Sequence, residues 1–125
     1  MKAVAILGLI LSFNVSQAAI ENLSLQTLAG KYEATHPQFP VKNTITVNVH
    51  GDVQFEEESP NGSIKCTGKA TLEAAILKAN LKCENGAEYE ERVNLSNVTN
   101  LSRFKAPVFS SLYGFEIELN FVRIN

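Results

Sequence analysis

The chain has no tryptophan, one methionine, one aspartate, two cysteines, four prolines and seven glycines in 125 residues. So little glycine and proline excludes a collagen-like or low-complexity chain. Basic excess is also missing: 11 lysines and arginines stand against 13 aspartates and glutamates, a net charge of −2, which excludes a strongly basic nucleic-acid binder. With 45% hydrophobic residues and so small a net charge, intrinsic disorder is excluded as well. The length suits a single domain.

Catalytic groupings are equally scarce. There is no Gly-x-Ser-x-Gly element, and Asp52 is the lone aspartate. His36 and His50 both fall in expected loops, so no Ser-His-Asp arrangement is legible. His50 and Asp52 make two potential ligands, too few for a metal site. The cysteines lack C-x-x-C spacing, which argues against a redox motif. The sequence therefore predicts a non-catalytic protein with no catalytic residues, no metal and no cofactor.

Met1-Lys2 is followed by an apolar stretch, Ala3–Leu11, too short to span a membrane. Ser16-Gln17-Ala18 then places small residues where a signal peptidase needs them. This predicts a secretory leader, 1–18, cleaved after Ala18, and a secreted or periplasmic domain, 19–125, without a transmembrane segment.

In that domain nearly every segment alternates polar and apolar residues, the period of a half-buried strand. Residues 20–28 have room for one helical turn. Gly30–Ala34 reads as a first strand and Thr35–Pro40 as a loop. Ile45, Val47 and Val49 alternate with threonine and asparagine, and Val53 and Phe55 resume after His50-Gly51-Asp52. A three-residue loop there pairs Val49 with Val53 and Val47 with Phe55. Ser59–Gly62 is a turn.

Two runs then constrain one another. Ile64, Cys66, Gly68, Ala70 and Leu72 share one face; so do Leu77, Ala79, Leu81 and Cys83. Folding them antiparallel with Leu72 opposite Leu77 sets Ala70 against Ala79, Gly68 against Leu81 and Cys66 against Cys83. The apolar pattern and the cysteines demand the same register, so a cross-strand disulfide is expected. Glu84-Asn85-Gly86 closes the next hairpin, with Gly86 left-handed, pairing Leu81 with Tyr89. Phe104–Tyr113, around Pro107, reads as an edge or irregular strand. Phe115, Ile117, Leu119 and Phe121 alternate along the last.

About eight short strands with one apolar face each must roll up to hide their edges. The expected fold is all-β, a small antiparallel up-and-down barrel, with a two-sheet sandwich as the alternative. Small Gly68, Ala70 and Ala79 on the inner face are expected to leave room inside.

Leu28-Ala29-Gly30-Lys31-Tyr32 on the first strand and Arg123 on the last resemble the lipocalin (calycin) pattern. In that family a Gly-x-Trp on the first strand is covered by an Arg or Lys from the last; Tyr32 stands here in place of the Trp. The resemblance implies that Gly30, Tyr32 and Arg123 close the barrel base. The chain is also similar in size and class to small periplasmic lysozyme inhibitors.

Arg123 and Glu91 fall on apolar faces, where a charge requires a partner. Arg123 is expected over the Tyr32 ring with a carboxylate such as Glu91 beside it, unless both sit at wet strand ends. The clusters Glu56-Glu57-Glu58 and Glu88, Glu90 and Glu91 read as a solvated face. Tyr113-Gly114-Phe115 reads as core packing, or else as a rim over the barrel mouth. Asn22, Asn61, Asn94, Asn97 and Asn100 each begin an Asn-x-Ser/Thr triplet.

Two functions fit. The first is a binding protein holding a small apolar ligand in the barrel, lined by Val47, Phe55, Leu81, Tyr89, Phe104, Tyr113, Ile117 and Leu119. The alternative is a protein-binding module, such as an inhibitor of an extracytoplasmic hydrolase, acting through loops Thr35–Pro40, Ser59–Gly62 and Leu101–Tyr113.

Overall fold

The computed structural model describes residue 20 and residues 22–124. The expected leader lies outside these residues. Eight strands follow one short helix: α1 (Leu25–Leu28), β1 (Gly30–His36), β2 (Phe39–Val47), β3 (Asp52–Ser59), β4 (Gly62–Glu73), β5 (Ile76–Cys83), β6 (Glu88–Asn94), β7 (Arg103–Ser110) and β8 (Phe115–Arg123). Each strand pairs antiparallel with its sequence neighbour. β1 pairs with β8 from Tyr32–Arg123 to Thr35–Asn120, which closes the barrel and eliminates the sandwich. Among the described residues no helix is long and apolar enough to cross a membrane.

Connections alternate between the two ends. One end is plugged. Ser24 caps α1 by accepting from the Thr27 amide, while the Thr27 hydroxyl accepts from the Ser24 amide. Leu28, at 3% exposure, then packs against Tyr32, Leu95, Val98 and Phe121. A second cluster fills the mid-barrel: Val47, Val53, Phe55, Cys66, Ala70, Ala79, Leu81 and Cys83.

The β4–β5 register is the expected one, with Cys66 opposite Cys83, Gly68 opposite Leu81, Ala70 opposite Ala79 and Leu72 opposite Leu77. The cysteine sulfurs lie at bonding distance. The β5–β6 hairpin also matches: Leu81 faces Tyr89, and the Cys83 amide donates to Ala87 at 2.8 Å, with Gly86 at φ 91°.

Three expectations are corrected. In β2–β3, Val47 pairs with Val53 and Ile45 with Phe55, two residues away from the expected register. The Asn48 side-chain oxygen accepts from the amides of His50 and Asp52, both at 2.9 Å, and this turn lengthens the loop. Val49 is left 49% exposed in it. A two-residue slide keeps every other side chain on its face, so the barrel interior is unaffected. Second, Thr35–Pro40 is not a free loop. β1 runs to His36, β2 starts at Phe39, and a shift in register between Thr35 and His36 accommodates Pro37 and Pro40. Third, most of Leu101–Tyr113 is strand. β7 pairs with β8 along its whole length, but its ladder to β6 ends at Val93–Val108, beside Pro107, which has no N–H to extend it.

The small residues do not create space. A Cβ on Gly68 would lie 1.8 Å from the Asn80 carbonyl oxygen, so this glycine lets β4 and β5 approach closely. Ala70 and Ala79 are packed in the core, at 6% and 8% exposure.

Candidate functional site

At the base, Tyr32 and Arg123 meet over the end of α1. The Tyr32 hydroxyl donates to the Leu28 carbonyl at 2.6 Å. The Arg123 guanidinium sits 5.4 Å from the Tyr32 ring centroid and donates to the carbonyls of Thr27 (3.3 Å) and Ala29. The last carbonyls of a helix lack partners within it, and these two side chains supply them. Gly30 pairs with Val47 alongside. The expected Arg123–Glu91 pair does not form, because helix carbonyls take the guanidinium and Glu91 lies towards the other end. Burial raises the Tyr32 hydroxyl above the usual tyrosine range, opposed by the Arg123 charge.

The other end is open. There a cavity of about 520 Å³ enters the barrel. Of the expected lining residues, Phe55, Tyr89, Tyr113, Ile117 and Leu119 border it. Val47, Leu81 and Phe104 do not. Val47 sits at the plugged end of β2, beside a small void of about 40 Å³. Leu81 fills the mid-barrel opposite Gly68. Phe104 is held in the plugged end, stacked on Phe121 at 4.8 Å and edge-on to Tyr32 at 6.1 Å.

The mouth carries an exposed apolar rim: Phe39 at 49%, Leu112 at 54%, Tyr113 at 59% and Phe115 at 56% exposure. Tyr113 and Phe115 are therefore rim, not core. Their rings lie 6.0 Å apart, on the β7–β8 loop and the start of β8. Across the mouth His36, expected as an ordinary loop histidine, stacks on Phe39 at 4.3 Å and accepts from the Gln38 amide through Nδ1 at 3.0 Å.

Polar groups line the apolar walls on the inner face. Glu57 is in phase with Val53 and Phe55 on β3. Asn43, directly opposite Glu57, is in phase with Ile45 and Val47 on β2. Glu91, in phase with Tyr89 and Val93 on β6, faces Ser110 on β7. Neither Glu57 nor Glu91 makes an ion pair or side-chain hydrogen bond among the described residues, and the Asn43 side-chain oxygen is buried with no partner. Burial, reinforced by the Glu57 charge, pushes the Glu91 carboxyl up to about 7. Burial and then the two carboxylates raise Tyr89 far above the usual tyrosine range. Tyr113 is raised by the same causes. Glu57 and Asn43 were missed in the sequence, although strand phase points both of them inward.

Asp52, the other polar residue singled out, is occupied by Lys69 and by the Asn48 amide at 2.9 Å. Hydrogen bonding from Lys69 holds its carboxyl below the usual range. Among the described residues no three His, Cys, Asp or Glu side chains converge. No protein-family model, curated protein or solved structure matches the chain.

Proposed function

We propose that this protein is a non-catalytic binding barrel that holds a small, largely apolar ligand. One observation carries this: a cavity of about 520 Å³, walled by Phe55, Tyr89, Ile117 and Leu119 and opening through an exposed apolar rim. Its size is that of sites for small molecules, and its few polar groups among apolar walls fit that pattern. The Tyr32–Arg123 closure is in keeping with a lipocalin-like barrel. The Cys66–Cys83 bond favours an oxidising compartment, secreted or periplasmic.

Fluorescence titration with the apolar dye 1-N-phenylnaphthylamine tests the reading. Saturable binding, lost when Leu119→Trp fills the cavity, is expected. Dye that binds Leu119→Trp as well as the unmodified protein, or binds neither, overturns it.

A second reading, a protein-binding module, draws on the same rim. Phe39, Leu112, Tyr113 and Phe115 expose more apolar surface than a site for water alone requires. Native mass spectrometry of protein from its own compartment separates the two: a small mass adduct supports the first, a bound polypeptide the second.

A further inference from the structure

We infer that the cavity selects a ligand with a cationic ammonium head on its apolar body, held by Glu57, Glu91 and Asn43. This rests on the binding-barrel reading and gives it a substrate class. The argument is one of complementarity. Two carboxylates from different strands line the cavity without a cation, and the Asn43 side-chain oxygen lies buried there unpartnered. All three groups accept hydrogen bonds, and a buried acceptor without a donor is costly. No lysine or arginine is among the lining residues, so a carboxylate or phosphate head would meet the like charges of Glu57 and Glu91 with no basic side chain to offset them. An ammonium offers three donors and one positive charge, and the Tyr89 and Tyr113 rings that line the same cavity add aromatic surface compatible with a cation. The raised Glu91 carboxyl is the mark of a buried acid lacking its counter-ion.

The titratable groups that line the cavity with Glu91 are Glu57 from β3, Tyr89 on its own strand, Tyr113 from the β7–β8 loop and His36 from β1, and of these the Glu57 charge acts on Glu91. Acidification neutralises the raised Glu91 carboxyl, which weakens binding of a cation, so ammonium affinity rises with pH.

The test displaces bound 1-N-phenylnaphthylamine with decylamine, 1-decanol and decanoate, which share one chain and differ in the head. Decylamine is expected to bind about tenfold or more tighter than 1-decanol, with decanoate weakest. Its advantage over 1-decanol should shrink several-fold between about pH 8 and pH 6. In Glu57→Gln/Glu91→Gln the two ligands should bind alike, with circular dichroism confirming the fold. 1-Decanol or decanoate binding as tightly as decylamine overturns the inference and leaves the apolar cavity standing. An unchanged preference in the double variant also overturns it. Failure of all three ligands to displace the bound dye overturns the inference alone, whereas absence of dye binding overturns the binding-barrel reading as well. The ligand series on the unmodified protein decides the matter even if the double variant does not fold.

Discussion

Arg123 on the last strand lies over the ring of Tyr32 on the first, 5.4 Å from its centroid, and both side chains donate to carbonyls at the end of α1. One contact thus joins barrel closure to the plug. Removing the hydroxyl in Tyr32→Phe leaves the Leu28 carbonyl buried without its donor and should cost about 1–2 kcal/mol. Arg123→Met keeps the aliphatic stem but loses the cation–π contact and two donors, at about 2 kcal/mol. Urea denaturation should show both losses. In the double variant they should fall short of additive, because the two groups share one helix end.

The Cys66–Cys83 bond ties residues 17 apart in sequence across β4 and β5. By the chain-entropy argument, reducing it should cost about 3 kcal/mol. Cys66→Ala/Cys83→Ala should lower the unfolding free energy read from urea denaturation by that amount and keep the strand content measured by circular dichroism. The apolar pairs Leu72–Leu77 and Ala70–Ala79 hold the same register without the sulfurs.

That double constraint explains why this part of the barrel was legible in the sequence. Alternation alone leaves a hairpin free to slide by two residues with its faces unchanged. The cysteines removed that freedom in β4–β5. Nothing comparable pins β2–β3, where the Asn48 side chain sets the turn, and the expected register was two residues out. The site was half legible for a related reason. Phase identifies inward residues such as Phe55 and Ile117, but not their height along the axis, so Val47 and Phe104 were assigned to a cavity they do not reach. Glu57 was hidden inside a run of three glutamates that looked like surface.

Stability should fall as pH rises past the acid range. The Glu91 carboxyl titrates near 4.5 when unperturbed and near 7 in the barrel, raised chiefly by burial. Between these values the folded state binds more protons than the unfolded chain, so stability is full below about pH 4.5 and declines as pH climbs to about 7. The loss from this buried group should be on the order of 3 kcal/mol. In Glu91→Gln it should vanish. Urea midpoints taken from acid to mildly alkaline pH check this; equal pH slopes for the two proteins would refute it.

The rim should matter for binding and not for folding. Tyr113 and Phe115 are 59% and 56% exposed, so replacing both with serine removes little buried surface and should shift stability by less than about 0.5 kcal/mol each. An apolar ligand seated at the mouth would lose these contacts. Affinity for 1-N-phenylnaphthylamine should drop several-fold while the thermal midpoint barely moves. A large thermal shift with unchanged affinity would instead make the pair part of the fold's support.

Gly68 sits where no side chain fits. A Cβ there would come within 1.8 Å of the Asn80 carbonyl oxygen, 2.8 Å of its carbon and 3.1 Å of the Leu81 Cα, all backbone atoms that cannot rotate away. The strain has to be relieved by prising β4 from β5, next to the disulfide and at the centre of the mid-barrel cluster. Gly68→Ala should therefore destabilise by about 3 kcal/mol, against the usual gain from replacing a strand glycine. Alanine at an exposed position of the neighbouring strand, Lys78→Ala on β5, should be nearly neutral. Urea denaturation checks this: if Gly68→Ala is neutral too, the two strands are further apart at this point than the clash with the Asn80 carbonyl requires.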